Sequence, residues 1–195
     1  MKSFDDYIES QMKRQNIPAM SVLIFDNKDN LFQKCFGKVD ADGPAMDDQY
    51  YYGKDSPVAL NNFMKQYFTP GGKYYDDYEN FYDFEPGTEF VYSTIGSALT
   101  AVLLERITGQ DFNTYCKNNI FKPLNMTNTH WELSEINKKM IVRPYDEYLK
   151  PIEHYTFTDY PNGGLRTTAQ DLFNLLSSYA NNGVCEGYRV LWHLI

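Results

Sequence analysis

Pro86-Gly87-Thr88-Glu89-Phe90-Val91-Tyr92-Ser93-Thr94-Ile95-Gly96 runs from a turn into the start of a helix. Proline and glycine together favour a tight reversal of the chain. The hydroxyl of Ser93 or Thr94 is suited to cap the free amides of the turn that follows. Beyond it, Ile95, Leu99, Val102, Leu103 and Ile107 recur at helical spacing and mark a strong helix. Gly109 stands where a helix usually closes, just past its last turn.

Working toward the N-terminus, an Asp/Tyr-rich stretch over 73–84 reads as a sticky surface loop. Before it, Val58, Leu60, Phe63, Met64 and Tyr67 share one side of a predicted helix that Pro70-Gly71-Gly72 ends. Pro57 fits the first turn of that helix, with Asp55 or Ser56 as its cap. From 39 to 51 the apolar pattern disappears into a polar connection containing Asp40, Asp42, Gly43, Pro44, Asp47 and Asp48. The chain opens with Ser3-x-x-Asp6, a capping-box-like start for Phe4, Tyr7, Ile8 and Met12 at helical spacing. Ile17-Pro18 stops that helix. An apolar run over 19–25 reads as a buried strand, with turn residues at 26–30 and a hairpin partner at 31–37.

Toward the C-terminus, 112–117 predicts a shorter helix. Thr168-Ala169-Gln170-Asp171 starts another, with Leu172, Leu175, Leu176 and Tyr179 facing inward and Asn182-Gly183 as its stop. There is no internal repeat and no low-complexity tract.

Composition narrows the function classes. The 195 residues suffice for one domain with a substantial core, and 43% hydrophobic with 16% aromatic residues is the content of a folded chain. A formal net charge of -8 without a Lys/Arg cluster argues against nucleic acid, whose phosphates would be repelled. Cys35, Cys116 and Cys185 lie far apart and read as buried free thiols, and His130, His154 and His193 are isolated. No Cys/His spacing suggests a metal site, and no cofactor is expected. No stretch is long enough to span a bilayer, and the acidic N-terminus lacks the apolar run of a signal peptide. The chain as written is therefore expected to stay in the cytoplasm.

Four stretches, taken in order, resemble one family. Ile17-Pro18-Ala19-Met20-Ser21-Val22 is similar to the start of the first strand in serine β-lactamase-like proteins. The segment 86–96 resembles that family's Pro-Gly-x-x-(aromatic)-x-Tyr-Ser-Asn-x-Gly. Glu105-Arg106-Ile107-Thr108-Gly109 and Ile120-Phe121-Lys122-Pro123-Leu124-Asn125-Met126 match the next helix and the turn after it. Gly163-Gly164-Leu165-Arg166-Thr167-Thr168-Ala169-Gln170-Asp171-Leu172 is similar to its Gly-Gly-Leu-x-(Ser/Thr)-x-x-Asp-Leu. The resemblance is to the serine β-lactamase and penicillin-binding-protein family, class C β-lactamases and DD-peptidases included. It covers 4–37 and then 56 to the end of the chain.

That resemblance implies an α/β (α+β) fold, a three-layer sandwich with one antiparallel sheet flanked by helices. It also implies acyl-enzyme chemistry on a β-lactam, a D-amino-acid peptide or an ester. In the family, a serine from a helical Ser-x-x-Lys attacks the carbonyl, the two side chains standing on one face a turn apart. The tyrosine of Tyr-x-Asn relays protons, and a strand bearing Lys-Thr-Gly lines the other wall with an oxyanion-hole amide. By this resemblance Tyr92 occupies the general-base position and Thr94 the asparagine position. Threonine carries no amide donor pair, so it cannot repeat the asparagine geometry.

The nucleophile motif is missing from its place. Between Gly37 and Tyr92 the one serine is Ser56, followed by Pro57-Val58-Ala59 with no lysine. The expectation is a single partial domain over 1–195, with an internal deletion near 39–43 and a C-terminus ahead of the family's Lys-Thr-Gly and last strands. Ser10-Gln11-Met12-Lys13 fits Ser-x-x-Lys literally but precedes the first strand, where the family has a packing helix. The hairpin is then left with an unpaired edge. An ordinary tyrosine has a pKa near 10, so only about one part in a thousand is phenolate at neutral pH. Losing the nucleophile of a serine hydrolase costs on the order of a million-fold in rate. The sequence therefore predicts a β-lactamase-related protein that is inactive as it stands. The alternative is a non-catalytic peptide- or glycan-binding module in which aromatics near Tyr74 and Tyr92 grip the ligand. A third reading relocates the nucleophile to Ser10 or Ser93. The resemblance implies cell-wall peptide or a β-lactam-like small molecule as the partner, and family members are often extracytoplasmic.

Overall fold

A computed structural model describes residues 3–15, 19–26, 29–37, 50–78, 80–146, 148–185 and 187–190. Helix α1 (Phe4–Gln15) starts on the capping box expected from its sequence. Ser3 N donates to Asp6 Oδ2 at 3.0 Å and Asp6 N to Ser3 Oγ at 3.1 Å. Strands β1 (Ala19–Asp26) and β2 (Asp29–Gly37) form the antiparallel hairpin, with Ala19 opposite Gly37 and a register shift at Ile24/Phe25. Both strands reach further into the connection than the turn residues at 26–30 suggest. Lys34 pairs with Asp5 and so ties the hairpin to α1.

Strand β3 (Tyr50–Tyr52) was hidden in what reads as a polar connection. It pairs antiparallel with β4 (Tyr155–Phe157), Tyr50 opposite Phe157 and Tyr52 opposite Tyr155. Tyr50 meets Tyr155 edge-on at 5.2 Å and Phe157 at 5.8 Å, the arrangement that aromatic quadrupoles favour. Three residues are too few to display a period of two, so periodicity cannot announce this strand. The expected deletion near 39–43 lies outside the described residues, as does His193.

Helix α2 (Leu60–Phe68) begins later than Pro57 predicts, with Ala59 at its N-cap. Asp55 and Ser56 are occupied elsewhere. The Asp55 carboxylate accepts from Leu133 N at 2.6 Å and Ser134 N at 2.9 Å, while Ser56 Oγ sits 2.8 Å from Thr158 Oγ1. Helix α3 (Thr94–Thr108) starts and stops as its sequence indicates, with Ser93 as N-cap and Gly109 as C-cap. Gly109 has φ 68°, a left-handed conformation in which a side chain is strained.

The buried face of α3 is not the one its large apolar residues suggest. Ala98, Ala101 and Val102 pack on Leu60, Phe63 and Met64 of α2, whereas Leu103 and Ile107 are 56% and 75% exposed. The small alanine side chains leave room for Leu60, Phe63 and Met64, and that contact selects the face. A similar change holds for α5 (Ala169–Ala180), where Asp171, Phe173, Ser177 and Ser178 are buried while Leu172, Leu176 and Tyr179 are exposed. Leu175 does point inward, against a second cluster of Cys116, Phe121, Leu124 and Met126.

That second cluster gathers the C-terminal half. Helix α4 (Phe112–Cys116) runs on as a wide π-type turn, Lys117–Phe121. Trp131, Leu165 and Cys185 pack against the cluster from outside. The short strands β5 (Val184–Cys185) and β6 (Tyr188–Arg189) pair beyond α5, and α5 also packs on β1. Cys116 is buried, its thiol pushed up by desolvation, and Cys185 is partly buried. Cys35 lies in β2, with its side chain outside the described ones. Among the described residues each sheet has two strands, all antiparallel, and helices pack around them.

Candidate functional site

Residues 86–88 form a turn and 89–93 run from it to α3, with the side chains over 86–93 exposed. Tyr92 is 73% exposed. Ser93 turns its hydroxyl back to accept from Gly96 N at 3.1 Å, so this serine serves as a helix cap. Thr94 is the first residue of α3 and is exposed. Tyr92 and Thr94 therefore flank the cap at the head of one helix.

Ser10 donates to Tyr7 O within its own helix at 2.7 Å. Ser56 accepts from Val58 N at 3.2 Å, besides its contact with Thr158. This serine joins the approach to α2 with the end of β4. Its surroundings include a cavity of about 540 Å³ bordered by Asp55, Ser56, Glu105, Asp111, Trp131 and Tyr160. Neither Tyr92 nor Thr94 lines it. Burial, reinforced by Asp111 and Glu105, pushes the Tyr160 phenol far above the usual range. Burial and the neighbouring Glu135 raise the nearby Glu132 carboxyl.

The Gly-Gly-Leu stretch has a different part to play. The Asp171 carboxylate, 2% exposed, accepts from Asn128 N and from Thr129 Oγ1, each at 2.7 Å. Thr129 Oγ1 also lies 2.7 Å from Thr167 Oγ1, and His130 and Arg166 exchange backbone hydrogen bonds at 2.9 Å. Arg166 donates to Gly164 O at 3.0 Å and also reaches Tyr155 O. Gly164 is buried, and a Cβ there would stand 2.9 Å from Tyr160 O. These residues clamp β4, the head of α5 and the chain around 128–130 into one unit. Sequence reading matched the motif but could not assign it this structural task, since Asp171 finds its partners 42 and 43 residues away.

Among the described residues no group of three or more His, Cys, Asp or Glu side chains could hold a metal ion. No helix among them is long and apolar enough to cross a membrane.

The Beta-lactamase family model matches residues 69–193 of this chain. The protein named flp of Staphylococcus aureus is 27% identical over 92 residues, covering 45% of this chain and 18% of that protein. An N-acetylmuramyl-L-alanine amidase of Bacillus subtilis is 27% identical over 148 residues, covering 65% of this chain and 32% of the amidase. An octameric penicillin-binding protein homologue from Pyrococcus abyssi superimposes with a TM-score of 0.62 at 18% identity, over 91% of this chain and 55% of that one. A mutant class C β-lactamase does so with a TM-score of 0.61 at 17% identity, over 88% of this chain and 62% of that one. The chain thus spans less than two thirds of each of these four proteins. The fold of the last two, with helices packed around antiparallel strands, is the fold of this chain. With the family match spanning more than half of its residues, the chain belongs to the β-lactamase family of serine hydrolase and penicillin-binding-protein relatives.

Proposed function

We propose that this chain is a single β-lactamase-related domain that has lost the family's nucleophile through an internal deletion near 39–43 and does not carry out acyl transfer as it stands. Ser56 carries the reading. It is the one serine between Gly37 and Tyr92, it has Ala59 where a lysine is needed, and its hydroxyl is held between Thr158 and Val58 N. Tyr92 occupies the family's general-base position, with Thr94 in place of the amide-bearing partner. A base without a nucleophile beside it cannot form an acyl-enzyme. The ancestral reaction on this reading is hydrolysis or transfer of a β-lactam, a D-amino-acid peptide or an ester. The test is incubation with a fluorescent penicillin followed by intact mass spectrometry, together with turnover of a chromogenic cephalosporin. The unmodified mass and no turnover are expected; stoichiometric acylation would sink the proposal.

A second reading is supported by the exposure of Tyr78, Tyr82, Phe90 and Tyr92, which are 63% to 91% exposed along one short segment. On this reading the scaffold is a non-catalytic binding module for a peptide or glycan. Saturable binding to cell-wall fragments, lost in Tyr92→Ala, is its test for the glycan case.

A further inference from the structure

The segment 73–92 contains six carboxylate residues against one lysine, so it holds five of the eight net negative charges of the chain. The same 20 residues contain eight aromatic side chains. One part of the segment is anchored. Asn80 donates to Tyr67 O at 2.9 Å and to Tyr74 O at 2.8 Å, Tyr74 packs 4.9 Å from Phe63, and Phe81 lies 6.1 Å from Phe68. The other part is displayed. Tyr78 and Phe90 are 90% and 91% exposed, and Asp76, Asp77, Asp83, Glu85 and Glu89 are exposed among them. Tyr82 stacks on Phe84 at 5.6 Å and remains largely exposed.

Aromatic faces beside carboxylates are complementary to ammonium and guanidinium groups, which are drawn to ring faces and to negative charge together. The chain already contains one such contact. The Lys73 ammonium stands 4.8 Å over the Tyr74 ring and 3.2 Å from its hydroxyl. We propose that the segment 73–92 is a docking surface for a lysine- and arginine-rich segment of a partner protein. The proposal rests on the binding-module reading and narrows its ligand to a cationic peptide; it is independent of the acyl chemistry.

The test is fluorescence anisotropy of a labelled ten-residue oligolysine titrated with the full chain, in parallel with a labelled chitin oligosaccharide as a neutral glycan. Oligolysine is expected to bind saturably and to weaken as salt is raised. The uncharged change Tyr78→Ala with Phe90→Ala is expected to weaken it about tenfold, from the loss of two cation–aromatic contacts. Asp83→Asn with Glu89→Gln is expected to weaken it several-fold while keeping every ring. Glu9→Gln, which removes a charge from α1, is expected to change it less than about twofold. Oligolysine binding that is indifferent to the two aromatic substitutions would mean attraction to net charge alone and would overturn the proposal. Glycan binding without oligolysine binding would overturn it and leave the binding-module reading standing. Binding of neither would remove both.

Discussion

Asp171 and Thr129 meet at 2.7 Å across 42 residues of sequence, carboxylate to hydroxyl, inside the protein. Asn128 N donates to the same carboxylate oxygen, and Thr168 Oγ1 caps the Asp171 amide at 3.2 Å. Removing the acceptor leaves the buried Thr129 hydroxyl and the Asn128 amide without it, and hydrogen bonds to a charged group contribute about 1.5–3 kcal/mol each. Asp171→Ala is expected to lower unfolding stability by about 3 kcal/mol in urea titration. Asp171→Asn should destabilise less, because its amide oxygen can take the place of Oδ2 but accepts more weakly than a carboxylate. A change below about 0.5 kcal/mol for Asp171→Ala would show that the clamp carries little energy.

At the head of α3, Ser93 and Tyr92 should separate cleanly. Ser93→Ala removes the N-cap and is expected to cost about 1 kcal/mol. Tyr92→Phe deletes one exposed hydroxyl and is expected to change stability by less than about 0.5 kcal/mol. Thermal and urea unfolding of the two variants measure both. The reverse order would mean that the tyrosine has a structural duty that its exposure does not reveal.

At the other end of the same helix, Gly109→Ala places a Cβ on a residue at φ 68°. The expected loss is about 1 kcal/mol. Equal stability of variant and parent would mean that the helix end rearranges without cost.

On the proposed reading, Thr94→Asn should not create acyl-transfer chemistry. Thr94→Asn supplies an amide but no nucleophile, and the expected outcome with fluorescent penicillin is again the unmodified mass. Covalent labelling of this variant would mean that a serine elsewhere is competent and that Thr94 was the missing part.

His154 provides a pH test. It is 8% exposed, and burial, with Arg166 and Arg143 nearby, depresses its pKa below the ordinary imidazole value. The folded state therefore binds this proton less readily than the unfolded chain. The histidine's contribution is favourable above the unfolded pKa, about 6.5, and is lost as pH falls from there toward the folded pKa. Comparing the chain with His154→Gln by urea unfolding at pH 7.5 and pH 5, the parent should lose more stability than the variant. A parallel loss in both would exclude His154 as a contributor.

Several features could be read directly from the chain because their causes lie within a turn of one another. The capping box of Ser3 and Asp6, the Ser93 cap, the Thr168 cap and the left-handed Gly109 each depend on neighbours three or four residues away. The order of the matching segments also carried the family, since Tyr92 and its neighbours keep their place relative to Gly109 and Gly163. The place of Tyr92 and Thr94 at the head of α3 was legible in the same local way. The part that Ser56 plays was not, because its partner Thr158 is 102 residues away.

The sequence by itself determined the start of α1, both ends of α3 and the start of α5, the family, and the absence of Ser-x-x-Lys between Gly37 and Tyr92. Local hydrogen bonding and residue identity suffice for those. Only the tertiary structure decided that α3 buries Ala98, Ala101 and Val102 rather than Leu103 and Ile107, that Tyr50–Tyr52 pairs with Tyr155–Phe157, and that Asp171 clamps the chain at Thr129. The physical reason is common to all three. α3 has apolar residues on more than one face, a three-residue strand has no readable period, and a buried carboxylate can accept from any donor brought to it. Which face, strand and donor are used depends on which surfaces meet when distant segments pack.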